Sequence, residues 1–158
     1  AHALTFAETG HLCLCTLHAN NANQAIDRIL SFFPAIKQNQ VLMDLSLNLR
    51  AMVAQVLVPR ASGQGRVPVV EMLLNSPLIA DHIRKGNVHL IKEVMARSME
   101  EGMQTLDQSL LAKYGDGEIT AAEAIRNADS ANEVRLGINM IDKRRVTASV
   151  VDLEVDMR

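Results

Sequence analysis

Apolar and polar positions change their period several times along the chain, and each change predicts an element. HLCLCTLH, residues 11–18, is a short and nearly unbroken apolar run between Gly10 and Asn20–Asn21, which predicts a buried strand. NANQAIDRILSFF follows, with Ala25, Ile26, Ile29, Leu30 and Phe33 at helical spacing and Pro34 as the stop. QVLMDLSLNLRAMVAQVLV places Leu42, Leu45, Leu49, Met52, Val53 and Val56 on one stripe and predicts a single long helix ended by Pro59. A turn is expected over Ser62–Gly65, and the β-branched run RVPVVEMLL predicts a strand, with Pro68 suggesting an edge or a bulge.

From Ser76 onward the pattern is helical. SPLIADHIRKG offers Ser76 as N-cap, Pro77 in the first helical position and Gly86 after the last turn. VHLIKEVMARSME and TLDQSLLAKYG are two further amphipathic segments separated by Gly102, and TAAEAIRNA opens on a Thr120/Glu123 capping box. After Ala131, VRLGINM and SVVDLEV alternate apolar with polar and read as strand or tail. No internal repeat or low-complexity stretch appears. The expected organisation is α/β over residues 1–75, helical over 76–130, with a tail of uncertain order over 131–158.

Composition narrows the function classes. The 158 residues are 48% apolar, enough for a packed core, but only 3% aromatic with no Trp, so the core must be aliphatic with help from eight Met. Few aromatics and a net charge of −2 leave neither stacking platforms nor a basic footprint, which excludes a nucleic-acid partner. No apolar run approaches the ~20 residues of a membrane span, and the start lacks the basic-then-apolar order of a secretion signal. Two cysteines without such a signal point to a reducing cytoplasm. The first residue is not Met, which suggests a start inside a larger protein. Ser46, Ser76 and Ser109 fall in helix or cap contexts without an evident base, so serine-based hydrolysis is not expected.

Two histidines and two cysteines within eight residues invite a metal reading, which geometry opposes. On a strand, His11 and His18 would stand roughly 23 Å apart, at about 3.3 Å per residue, whereas metal–nitrogen bonds are about 2 Å long. Cys13 and Cys15 would share a face, and two thiols without further ligands are more often a buried apolar pair. No metal is therefore expected. His18 would lie at the carboxyl end of its strand beside Thr16 and the Asn20–Asn21 loop, where α/β sheets bind ligands. An imidazole and a hydroxyl there could stabilise a phosphate; a satisfied structural histidine is the competing reading.

At this point ALTFAETGHLCLCTLHANNANQAIDRILSFFP resembles the His box and following helix of the secretion and type IV pilus ATPases. Within that superfamily it is most similar to the twitching-motility retraction ATPases of the PilT/PilU type. GRVPVVEMLLNSPLIADHIRKG, EGMQTLDQSLLAKYGDGEIT and AAEAIRNADSANEVRL extend the likeness over roughly residues 1–140, and PLIADHIRKG leans toward the PilU branch. The resemblance implies the C-terminal part of a RecA-like P-loop ATPase core followed by a helical bundle. It implies that the box supplies Thr9, Gly10, His11, Thr16 and His18. Within the box, Thr16 and His18 lie near the nucleotide phosphates, and the role of His11 is structural or exerted at a subunit interface. Ile83 and Arg84 fall in the retraction motif. ATP and Mg2+ are implied as cofactors of the parent. A homo-hexamer, a paralogous retraction ATPase and an inner-membrane pilus platform protein are implied as partners, with a location in the cytoplasm against the inner membrane.

The phosphate-cradling pattern G-x-x-x-x-G-K-[ST] is missing: no two of the eight glycines have its spacing and no Lys precedes Ser or Thr. The chain alone is therefore expected to bind no cofactor and hydrolyse no ATP. Open strand edges make dimerisation or strand exchange plausible for it. Two alternatives stand beside the retraction reading, namely an assembly or type II secretion ATPase of the same superfamily and a non-enzymatic interaction module. Two cysteines cannot supply the tetracysteine zinc insertion of many secretion motors. Lys143-Arg144-Arg145 is either a contact with anionic lipid or a solvated run.

Overall fold

A computed structural model describes residues 2–156, with side chains defined up to residue 147 apart from residue 100. Eight α-helices, two short 3-10 helices and two strands succeed one another among these residues. The α-helices and strands are α1 (His2–Glu8), α2 (Ala22–Ser31), α3 (Ala35–Asn48), β1 (Ala51–Pro59), β2 (Arg66–Leu74), α4 (Pro77–Arg84), α5 (Ile91–Arg97), α6 (Leu106–Gly115), α7 (Ala121–Arg126) and α8 (Ala131–Asp156). Two compact units emerge, one of Ala1–Val56 with Val70–Thr105 and the other of Leu57–Val69 with Leu106–Arg158. The β1–β2 hairpin runs through both.

The first unit is built on aliphatic stripes. Ile26 of α2, Leu42 and Leu45 of α3, Leu73 of β2, Ile79 and Ile83 of α4 and Met95 of α5 form one buried cluster. α4 has the ends its sequence predicts: the Ser76 side chain accepts from the Ile79 amide, Pro77 opens the helix, and Gly86 follows its last turn. Helix α3 stops at Asn48, a correction to the long helix expected through residue 58. Leu49 turns extended, and the Asn75 amide group donates to the carbonyls of Ser46 and Leu49, satisfying acceptors at the helix end. The chain then becomes β1, whose exposure alternates with period two. Val53, Val56 and Val58 are β-branched and suit a pleated strand better than a helix; the helical spacing of Met52, Val53 and Val56 was a coincidence of register.

In the second unit Leu110, Ile119, Ala124, Val134 and Ile138 are buried. Thr120 caps α7 by accepting from the Glu123 amide, as its capping-box position predicts. The carboxylate of Asp107, itself buried, accepts from the amides of Asp129 and Ser130 just ahead of α8. That fixed start accounts for the second correction: residues after Ala131 form neither strand nor tail but a 26-residue helix. Val134 and Ile138, one helical turn apart, carry its buried face. At the hairpin tip Glu118 bridges Arg60 (2.8 Å) and Lys113 (2.6 Å), while its carbonyl accepts from the Ala61 amide.

Candidate functional site: the His11–His18 segment and its anchors

The segment begins at the end of α1, an element the sequence pattern does not announce. Gly10 adopts φ +89°, its amide donates to the Ala7 carbonyl (3.0 Å), and the His11 amide donates to the Phe6 carbonyl (3.1 Å). This is the paired closure of a Schellman cap, which needs a left-handed residue and so favours glycine. The His11 ring meets Phe6 edge-on at 5.8 Å, supplying the apolar contact that accompanies such caps. The Thr9 hydroxyl donates to the Phe6 carbonyl at 2.9 Å and lies 3.0 Å from His11 Nδ1. A hydroxyl has one proton, and here the Phe6 carbonyl takes it. His11 must therefore be the donor in the second bond, through Nδ1–H. Three box residues, Thr9, Gly10 and His11, thus build one helix terminus.

Residues 11–17 then run without regular secondary structure, and the strand expected there is a correction. A strand needs a ladder, and the described residues contain one two-stranded sheet, β1 with β2, which does not include this segment. Leu12 and Leu14 are 82% and 89% exposed, so neither leucine is buried. For the same reason the cysteines are not a buried pair: Cys13 is half-buried, Cys15 is exposed, and both are free thiols. Thr16 and His18 are exposed, and His18 sits at a bend rather than at the end of a hydrogen-bonded strand. Among the described residues no group of three or more His, Cys, Asp or Glu could hold a metal ion.

Just beyond His18 the chain is tied down firmly. The Asn20 amide donates to the Gln24 side chain (3.1 Å), and the Asn21 side chain accepts from the Gln24 amide (2.9 Å) as the N-cap of α2. The Ala22 amide donates to Oε1 of Glu71 at 2.6 Å, a buried bond across 49 positions of sequence. Glu71 is only 2% exposed and was missed by motif reading. A signal existed: Val67, Val69, Glu71 and Leu73 share the buried parity of β2, so a carboxylate interrupts an otherwise apolar face.

The two motif residues of α4 face opposite surroundings. Ile83 is wholly buried in the core of the first unit. Arg84 is exposed and pairs with Asp81 at 2.5 Å, while Lys85 reaches the other oxygen of Asp81 at 2.6 Å. Hydrogen bonds from Lys85 and then Arg84 hold the Asp81 carboxyl below its ordinary range. Within the basic run on α8, Arg145 donates to the carbonyls of Tyr114 and Gly115 at the end of α6 and lies over the Tyr114 ring. Lys143 and Arg144 are exposed.

With this arrangement in view, the chain belongs to the type II/IV secretion system protein family, whose match spans residues 1–127. It is 63% identical over 139 residues to the type IV pilus ATPase PilU of Pseudomonas aeruginosa, covering 88% of this chain and 36% of that protein. Against the type IV pilus retraction ATPase PilT of the same organism, identity is 36% over 126 residues, covering 80% of this chain and 36% of the other. The crystal structure of the pilus retraction motor PilT with bound ADP superposes with a TM-score of 0.74 at 36% identity, covering 84% of this chain and 36% of that one. The chain thus spans about a third of the length of these relatives. The mixed α/β architecture and the PilT/PilU likeness read from the sequence both stand.

Proposed function

We propose that this chain forms the C-terminal part of a hexameric P-loop ATPase that powers type IV pilus retraction and twitching motility by hydrolysing Mg-ATP. The observation that carries the reading is the 63% identity to a type IV pilus ATPase over 88% of the chain. In this reading residues 1–75 complete a RecA-like core, 76–130 form its helical C-terminal region, and α8 continues beyond it. The motor works in the cytoplasm, peripheral to the inner membrane, with a paralogous retraction ATPase and a membrane platform protein as partners. No helix among the described residues is long and apolar enough to cross a membrane. Lys143 and Arg144, exposed on α8, are available to an acidic partner surface.

His18 and Thr16 supply one edge of the nucleotide site. Their exposed imidazole and hydroxyl lie on a segment whose two ends are fixed, by the Gly10 cap and by the Asn21 cap of α2. Such groups position phosphate charge and do not attack it, since phosphoryl transfer relies on orientation and charge stabilisation. Bound ATP with Mg2+ would supply the reactive phosphoryl group; the chain's own residues offer no phosphate-cradling loop, so it contributes an edge and not a whole site. His11, committed to its helix cap, serves by holding that segment. Ile83 anchors α4 in the core, leaving Arg84 at the surface to couple the helical region to force.

The experiment joins this chain to the preceding portion of Pseudomonas PilU in place of the matching residues. The chimaera is expected to assemble, hydrolyse ATP and support twitching, and to turn over on the order of a hundredfold more slowly on His18→Ala. The 158-residue chain alone is expected to show no turnover. A chimaera that assembles yet neither hydrolyses ATP nor restores motility would overturn the assignment, as would sustained hydrolysis by the chain alone.

A further inference from the structure

Glu71 is a carboxylate on the buried parity of β2, between Val69 and Leu73, and burial of such a group is costly unless it is hydrogen-bonded. Its Oε1 takes the amide of Ala22, the first residue of α2, where helical amides lack partners and the helix dipole favours negative charge. Asn20 and Asn21 also hold the start of α2 through bonds to Gln24, four and three positions further on, while the Glu71 bond comes from the distant strand β2. β2 is itself clamped at this point. Met72 and Gln104 exchange backbone hydrogen bonds of 2.8 and 2.9 Å, and the Gln104 side chain donates to the Val70 carbonyl at 2.8 Å.

We infer that Glu71 is a positioning residue for His18: its bond to Ala22 fixes the loop that holds the imidazole, and the Gln104 clamp makes β2 a firm base for that bond. The role rests on the nucleotide-edge reading of His18 given above. It needs no contact between Glu71 and nucleotide.

The test has two arms. In the 158-residue chain, Glu71→Ala should speed hydrogen exchange of the Ala22 amide by about tenfold, the scale of one lost buried hydrogen bond, while the Ile26 amide stays protected. Glu71→Gln keeps an acceptor and the side-chain volume, so it should restore most of the protection; it also serves if the alanine variant fails to fold. In the chimaeric motor, Glu71→Ala should lower kcat on the order of tenfold, as a slightly misplaced positioning group does. Combined with His18→Ala it should be no slower than His18→Ala alone, because both changes remove one function. Unchanged Ala22 exchange would sink the anchor, and multiplicative losses in the double variant would sink the positioning role. If His18→Ala alone leaves turnover intact, the reading of His18 fails and the positioning role with it, while Ala22 exchange still decides whether the anchor exists.

Discussion

The two histidines of the box differ in their surroundings. His11 is locked by Thr9, Phe6 and Gly10, whereas no bond to His18 is found among the described residues. The neutral His11 ring should therefore carry its proton on Nδ1, and Thr9→Val should return it to the Nε2 form that free imidazole prefers. Ring nitrogen NMR shifts report this directly. The same contrast separates the two residues of α4. Ile83→Ala should cost about 2–5 kcal/mol in urea unfolding of the first unit, since it empties a wholly buried site. Arg84→Ala should cost about 1 kcal/mol or less, its ion pair being solvent-screened. If the chimaeric motor with Arg84→Ala remains folded and hydrolyses ATP but no longer restores twitching, the surface role proposed for Arg84 is supported.

Elements with chemical punctuation were legible. Ser76, Pro77 and Gly86 frame α4, and Thr120 opens α7, because caps act locally and sequence states them. Elements defined by partners far along the chain were not. Nothing between residues 48 and 51 is a helix breaker, and the switch from α3 to β1 depends on Asn75, which lies well downstream. The 11–18 run has the composition of a strand, yet pairing is a property of neighbours, not of composition. Of the candidate site, the box residues were readable as a motif, while Glu71 needed the parity of β2 to be noticed. The α8 helix was obscured by the apolar–polar alternation of VRLGINM and SVVDLEV, and within the first of these falls Gly137. Its reason is contact: a Cβ there would lie 2.5 Å from Leu111 Cδ1. Gly137→Ala should thus destabilise the second unit by about 1–3 kcal/mol despite better helix propensity. In a Leu111→Ala background the same change should be neutral or stabilising, and thermal or urea melts of the four variants would reveal that reversal.

At the scale of the whole chain, charged pairs set a stability window. Bonds from Lys113, then Arg60, hold Glu118 below the ordinary carboxylate range, and those from Lys85 and Arg84 do so for Asp81. The unfolded chain therefore takes up these protons first as pH falls. The stability they lend is present above the ordinary carboxylate range and is lost as pH drops through the lowered values. Tyr114 is displaced upward, chiefly by its hydrogen bond to Asp142, so its contribution holds below the ordinary phenol range and is lost as pH rises through the raised one. Urea midpoints followed with pH should fall off at both ends, and Glu118→Gln should flatten the acid limb. The exposed leucines of the box bear on handling. With Leu12 and Leu14 almost wholly in water, concentrated preparations should scatter light, cling to phenyl resin and bind dye probes of greasy surface, and a Leu14→Lys version should stay clear in the same tube.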